Sequence, residues 1–97
     1  FYDAVTARAA APLNTLLEYA LPLLKEGGVF AAYKGANAVE EAERAENAAL
    51  LTGASLKEII FYSLENPRDR ALVVYEKTGE TPARFPRKNN NPRRKPL

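Results

Sequence analysis

A parallel α/β sheet finished by an antiparallel hairpin is the fold class this sequence predicts. Three observations carry that expectation. Two short apolar runs are each followed by a stripe of apolar residues at helical spacing. After Gly53 the runs become rich in Ile, Phe and Tyr, and the last two are separated only by the polar turn Glu65-Asn66-Pro67-Arg68-Asp69, which leaves no room for a crossover helix.

Taken in order, residues 2–8 read as a short strand with Arg8 at its carboxyl end. Pro12 suits the first turn of a helix, and Leu13, Leu16, Leu17, Ala20 and Leu24 form its apolar stripe. Pro22 should bend that helix by removing a backbone donor. Lys25 is expected to complement the helix dipole, with Gly27-Gly28 as the stop. Residues 29–33 are a near-continuous apolar run, as in a strand covered on both faces, with Lys34 at its carboxyl end before Gly35. Asn37 and Glu40 form a capping-box pattern, and Ala38, Ala42, Ala45 and Ala49 make a small-residue stripe that Gly53 ends. Residues 56–64 and 70–77 are the two hairpin strands.

A right-handed crossover makes the first two strands parallel neighbours, and the second helix carries the chain to the sheet edge. The last strand then inserts beside its predecessor or pairs with it antiparallel. Such a sheet leaves the first strand as an open edge, a template for missing strands or for self-association. No internal repeat occurs at solenoid spacing.

Composition narrows the chemistry. Among 97 residues there is no cysteine and no histidine, which excludes disulfides, thiolate zinc sites, cysteine nucleophiles and imidazole bases. No metal-ligating set is expected, because Glu40, Glu41, Glu43 and Glu46 read as the wet face and first turn of a helix. No run approaches the roughly 20 apolar residues of a membrane-spanning helix. The absence of methionine, with Phe1 opening the chain, reads as a piece of something longer.

Charge is uneven. Residues 1–82 carry eight Lys/Arg against twelve Asp/Glu, whereas residues 83–97 carry Arg84, Arg87, Lys88, Arg93, Arg94 and Lys95 with no acid. The division expected is therefore a body, 1–82, and a basic, proline-rich arm, 83–97. A basic arm on an acidic body is a footprint of phosphate contact, and equally of a solvated tail. Its three prolines, with Pro82 just before it, forbid regular structure, so the arm should order mainly on a partner.

Open α/β sheets bind ligands outside the carboxyl ends of their parallel strands. Arg8 and Lys34 lie at those ends on adjacent strands, where they could hold a carboxylate, a phosphate or a nucleotide, or could simply be solvated. Asp3 sits at the opposite end. Tyr19, Tyr33, Phe61, Tyr62 and Tyr75 read as core or interface residues. No glycine loop able to cradle phosphate is present, and no catalytic residue can be assigned.

The runs YDAVTARAAAPL (2–13), LEYALPLLKEGG (17–28), YKG (33–35), RALVVYEK (70–77) and FPRK…P…KPL (85–97) occur in an order and spacing that resembles a known family. It is the carboxyl-terminal half of the bacterial glucose-inhibited division protein B family, the small-subunit ribosomal RNA guanine-N7 methyltransferases. The resemblance implies a class I, Rossmann-like fold, S-adenosylmethionine as cofactor, small-subunit (16S) ribosomal RNA as partner and a cytoplasmic location. It implies that Arg8 lines the cofactor site, that Lys34 contacts RNA or orients the cleft, and that the arm helps to hold RNA. Asn89-Asn90-Asn91 departs from the glycine-containing stretch usual there. The family's glycine-rich loop and ribose-gripping acid belong to its first half, so the chain alone is expected to be inactive. Guanine N7 has a lone pair and no proton, so its methylation needs no general base, which suits this inventory. The residues leave two alternatives open, a non-catalytic RNA- or ribosome-binding module and a structural half-domain that self-associates.

Overall fold

The computed structural model describes residues 1–8, 10–62, 70–88 and 91–97. The chain runs β1 (Tyr2–Ala7), α1 (Leu13–Ala20), a 3-10 turn (Leu21–Leu23), β2 (Leu24–Gly35), α2 (Ala38–Arg44), α3 (Glu46–Thr52), β3 (Ala54–Tyr62), β4 (Arg70–Lys77) and a short α4 (Asn91–Arg94). The strands form one sheet in the order β1-β2-β4-β3. β1 and β2 are parallel, and β4 runs antiparallel to both β2 and β3. The α/β class and its antiparallel ending are thus observed, with the last strand inserted between its two predecessors. The polar turn expected at 65–69 lies outside the described residues.

The first helix is shorter than its leucine stripe predicts. Helical geometry ends at Ala20, a 3-10 turn carries Pro22 in its first positions, and Leu24 already has extended backbone (φ −89°, ψ 145°). Proline's missing donor stops the α-helix rather than bending it. β2 therefore starts five residues early, and Gly27-Gly28 serve a bulge instead of a helix stop. Between two consecutive pairings, Tyr2 with Leu24 and Ala4 with Val29, β2 advances five residues while β1 advances two. Gly27 takes φ +83°, and a Cβ on Gly28 would lie 2.8 Å from the Lys25 carbonyl oxygen. Only glycine fits that pair of constraints. Lys25, expected at a helix end, instead pairs with Asp3 across the bulge.

The capping box at Asn37 does not form. Asn37 adopts φ −90°, ψ 20° and makes no side-chain cap bond. What was expected as one helix breaks at Ala45, whose N–H is shared between the Glu41 and Ala42 carbonyls at 3.0 and 3.2 Å. Gly53 does end α3, with φ +84°, and its carbonyl accepts the N–H groups of Thr78 and Gly79. That bond ties the helix end to the end of β4.

One sheet face carries the core. Phe30, Ala32, Ala71, Val73 and Tyr75 are buried against Leu13, Leu17, Leu21 and the alanine stripe, all four members of which are buried. Small alanines let α2 and α3 lie close to the strands, and Phe30 stacks on Tyr75 at 6.4 Å. The alternate residues Val29, Ala31, Leu72 and Val74 on the other face remain half-exposed. Buried Lys77, at the end of β4, donates to the carbonyls of Leu21 (3.1 Å), which also accepts the Leu24 N–H, and Leu24 (2.7 Å).

The arm also departs from expectation, because it orders on this chain. Phe85 and Pro92 are buried, and Thr15 on α1 donates its hydroxyl to the Pro92 carbonyl at 2.9 Å. Glu18, fully buried on the same helix, accepts the Arg87 backbone N–H at 2.6 Å and its guanidinium at 2.9–3.1 Å. Proline prevents long helices or central strands, but it does not prevent docking of short turns. The buried carboxylate supplies the missing partner.

Candidate functional site

The parallel strands deliver Arg8 and Lys34 to the same end of the sheet. Both line one open cleft of about 500 Å³, with Tyr33, Gly35, Tyr62 and Arg70. The registers explain the grouping. Arg70 opens β4 directly opposite Gly35 on one side and Tyr62 on the other. A glycine opposite an arginine leaves space above the strand end.

The two cations expected here are not equivalent. Arg8 is exposed and its guanidinium lies over the Tyr33 ring, 4.4 Å from the centroid. That stacking holds the charge in place without neutralising it. Lys34 turns toward the helices, where its ammonium meets Glu41 at 3.1 Å and donates to the Ala11 carbonyl. Its side chain is only 6 % exposed. Glu41, read from sequence as part of a wet helical face, is half-buried because this lysine and the Leu13 N–H both bind it. Glu40, Glu43 and Glu46 are exposed, as a solvated face should be.

Sequence reasoning missed Arg70, Tyr33 and Tyr62 as members of the cleft. Arg70 precedes the run LVVY and reads as a strand flank. The clue was available only in the insertion of β4 beside β2, which brings a strand start to the ends of parallel strands. Of the aromatics read as core or interface residues, Tyr75 is core, 1 % exposed, whereas Tyr33 and Tyr62 line the cleft. Burial, with Glu41 and Glu46 nearby, pushes the Tyr75 hydroxyl up to about 12.

The arm's cations also divide. Glu18 engages Arg87, holding the guanidinium still more firmly in its charged form, and Arg87 also donates to the Lys95 carbonyl. Arg84 stacks on Phe85 at 4.8 Å. Lys88, Arg93, Arg94 and Lys95 are exposed. Asp3 lies at the far end of β1, and Lys25 holds its carboxyl below the usual range.

Chemically, the cleft offers two guanidinium groups and two phenol rings around a glycine. That set suits a ligand bearing a carboxylate or phosphate and a flat ring. Among the described residues it contains no acid that could grip a ribose and no glycine-rich phosphate loop. The guanidinium groups and phenol rings are of a kind that fits one wall of a site for a nucleoside-type cofactor. Among the described residues, no helix is long and apolar enough to cross a membrane.

Comparison with known proteins gives this arrangement a family. A family model described as rRNA small subunit methyltransferase G matches residues 1–73. Similar curated proteins of that same name include one from Desulfitobacterium hafniense, 46 % identical over 99 % of this chain and 41 % of its own length. Another, from Syntrophomonas wolfei, is 45 % identical over 99 % of this chain and 45 % of its own length. A third, from Pelotomaculum thermopropionicum, is 47 % identical over 99 % of this chain and 41 % of its own length. The chain thus spans less than half the length of these relatives. With the family model covering three quarters of its residues, the chain belongs to the rRNA small subunit methyltransferase G family.

Proposed function

We propose that the protein carrying this chain transfers a methyl group from S-adenosylmethionine to N7 of a guanine in small-subunit ribosomal RNA. Family membership carries the reading, and the cationic, tyrosine-lined cleft at the strand ends supports it. The cofactor, when bound, supplies a methyl group on a positively charged sulfur. N7 would accept that methyl group through its lone pair, and the electrons of the broken S–C bond would remain on sulfur. No proton leaves N7, so no general base is needed and no catalytic residue is assigned. The residues' work is placement and exclusion of water. Arg8, steadied by Tyr33, binds the cofactor. Lys34, committed to Glu41 and Ala11, orients the rim of the cleft. The exposed cations Lys88, Arg93, Arg94 and Lys95 meet RNA phosphate, Arg87 holds the arm that carries them, and Arg84 stays on the Phe85 ring, away from the RNA.

The test is methyl transfer by the full-length protein to naked small-subunit ribosomal RNA, mapped by borohydride and aniline cleavage, which cuts at N7-methylguanine. A single cleavage site is the expected result. Methyl incorporation without cleavage would show a different acceptor atom.

The 97 residues alone supply one wall of the cofactor cleft. Isothermal titration of this chain with S-adenosylmethionine should give negligible heat and no methyl transfer, and tight one-to-one binding would overturn that expectation. A second reading rests on β1, which pairs only with β2 among the described residues and whose sheet carries half-exposed Val29, Ala31, Leu72 and Val74. An edge and face of this kind accept the remainder of the domain or a second copy. Sedimentation of the chain over a concentration series should show a dimer if the second copy is the occupant.

A further inference from the structure

The cleft has a neighbour. A second pocket of about 410 Å³ is lined by Ala10, Ala11, Pro12, Thr15 and Arg93. Ala11 connects the two spaces, since it lines this pocket while its carbonyl accepts the ammonium of Lys34 on the wall of the first. The volume falls within the roughly 300–1,000 Å³ of small-molecule sites. Its lining side chains are those of three small apolar residues, the Arg93 guanidinium and Thr15, whose hydroxyl donates to the Pro92 carbonyl. An apolar floor with a single cation at the rim suits the ring and sugar of a nucleotide whose phosphate meets the cation.

Arg93 is there because the arm is pinned twice, by Thr15 to Pro92 and by Glu18 to Arg87. The other arm cations are differently placed. Arg84 stacks on Phe85, which lines a separate hollow with Lys77, seven residues further along β4 from Arg70 and so roughly 23 Å from the cleft.

We propose that the pocket between residues 10–12 and α4 is a second nucleotide subsite, which seats an RNA nucleotide adjoining the one in the cleft, with Arg93 as its phosphate contact and the Glu18–Arg87 pair positioning the arm. The inference rests on the RNA methyltransferase reading above and adds a defined place and residue to it.

The experiment uses the full-length protein, naked small-subunit ribosomal RNA and S-adenosylmethionine. Arg93→Gln should raise KM for RNA about tenfold, leave kcat within about twofold, and lower the slope of log affinity against log salt by about one. Cofactor affinity, measured by titration, should not move. Arg84→Gln removes the same charge at the other end and should change KM by less than about twofold. Arg87→Gln should reproduce the KM rise, and the Arg87→Gln, Arg93→Gln double variant should be no worse than either single one, because both remove the same contact. Arg93 is exposed, so its substitution leaves the fold intact. Equal effects of Arg93→Gln and Arg84→Gln, or additivity in the double variant, would overturn the subsite while leaving the methyltransferase reading standing. Failure of the unaltered protein to bind or methylate this RNA would overturn both.

Discussion

The cleft and the arm are the two basic regions of this protein, and each contains one cation that is committed and others that are free. In the cleft Lys34 is bound by Glu41, while Arg8 stands over Tyr33 and meets no carboxylate among the described residues. In the arm Arg87 is bound by Glu18, while Arg93 is exposed at the rim of a pocket. The difference lies in what faces each residue from α1 and α2. A count of basic residues assigns all of them to a ligand. The geometry assigns Lys34 and Arg87 to the fold and leaves Arg8 and Arg93 for binding.

Removing the committed cation of the arm should have the largest effect. Arg87→Ala leaves a fully buried carboxylate without its counter-charge, and urea unfolding should show a loss of about 3 kcal/mol. Limited proteolysis should then cut within residues 83–88. A loss no greater than that of Arg84→Ala would erase the distinction between the two arginines. Glu41→Gln should cost less, about 1–2 kcal/mol, since the amide can still accept from Lys34 and Leu13. Arg8→Ala should leave unfolding almost unchanged, its stacking contributing about 0.5–1 kcal/mol, yet weaken cofactor binding in the full-length protein several-fold. Unchanged affinity there would place Arg8 with the solvated cations.

Tyr75 sharpens the same contrast within the core. Among the described residues its buried hydroxyl meets no hydrogen-bond partner. Tyr75→Phe should therefore be neutral or stabilising by about 1 kcal/mol. Its raised value also fixes a sign. Stability is independent of this hydroxyl's titration below its ordinary value of 10.0 and falls as pH rises from there through about 12, because the unfolded chain releases the proton first. Tyr75→Phe should flatten this alkaline loss in pH-dependent melting. The smallest effect belongs to Asp3→Asn. Lys25 lowers the Asp3 carboxyl, so any contribution is present above its ordinary value and disappears in acid, but both partners are exposed and melting at neutral pH should not change.

Legibility followed the range of the interaction. Strand runs, the alanine stripe, the stop at Gly53 and the hairpin were readable because each depends on residues close in sequence. The end of α1 was misplaced because a leucine stripe has the same spacing whether or not Pro22 halts the helix. Gly27-Gly28 look like a helix stop in one dimension, and only the pairing of β1 with β2 makes them a bulge. Asn37 and Glu40 have the spacing of a capping box, but the backbone of Asn37 does not adopt the cap conformation.

The sequence by itself determined the α/β class, the parallel start and antiparallel finish, and the arrival of Arg8 and Lys34 at one end of the sheet, since periodicity and crossover handedness act locally. Tertiary structure alone decided that Arg70, Tyr33 and Tyr62 join them, that the arm lies on α1, and which cations remain available. Those outcomes depend on which groups the fold brings together, from Glu41 beside Lys34 to Glu18 beside Arg87, 69 residues apart along the chain, and no local pattern encodes that proximity.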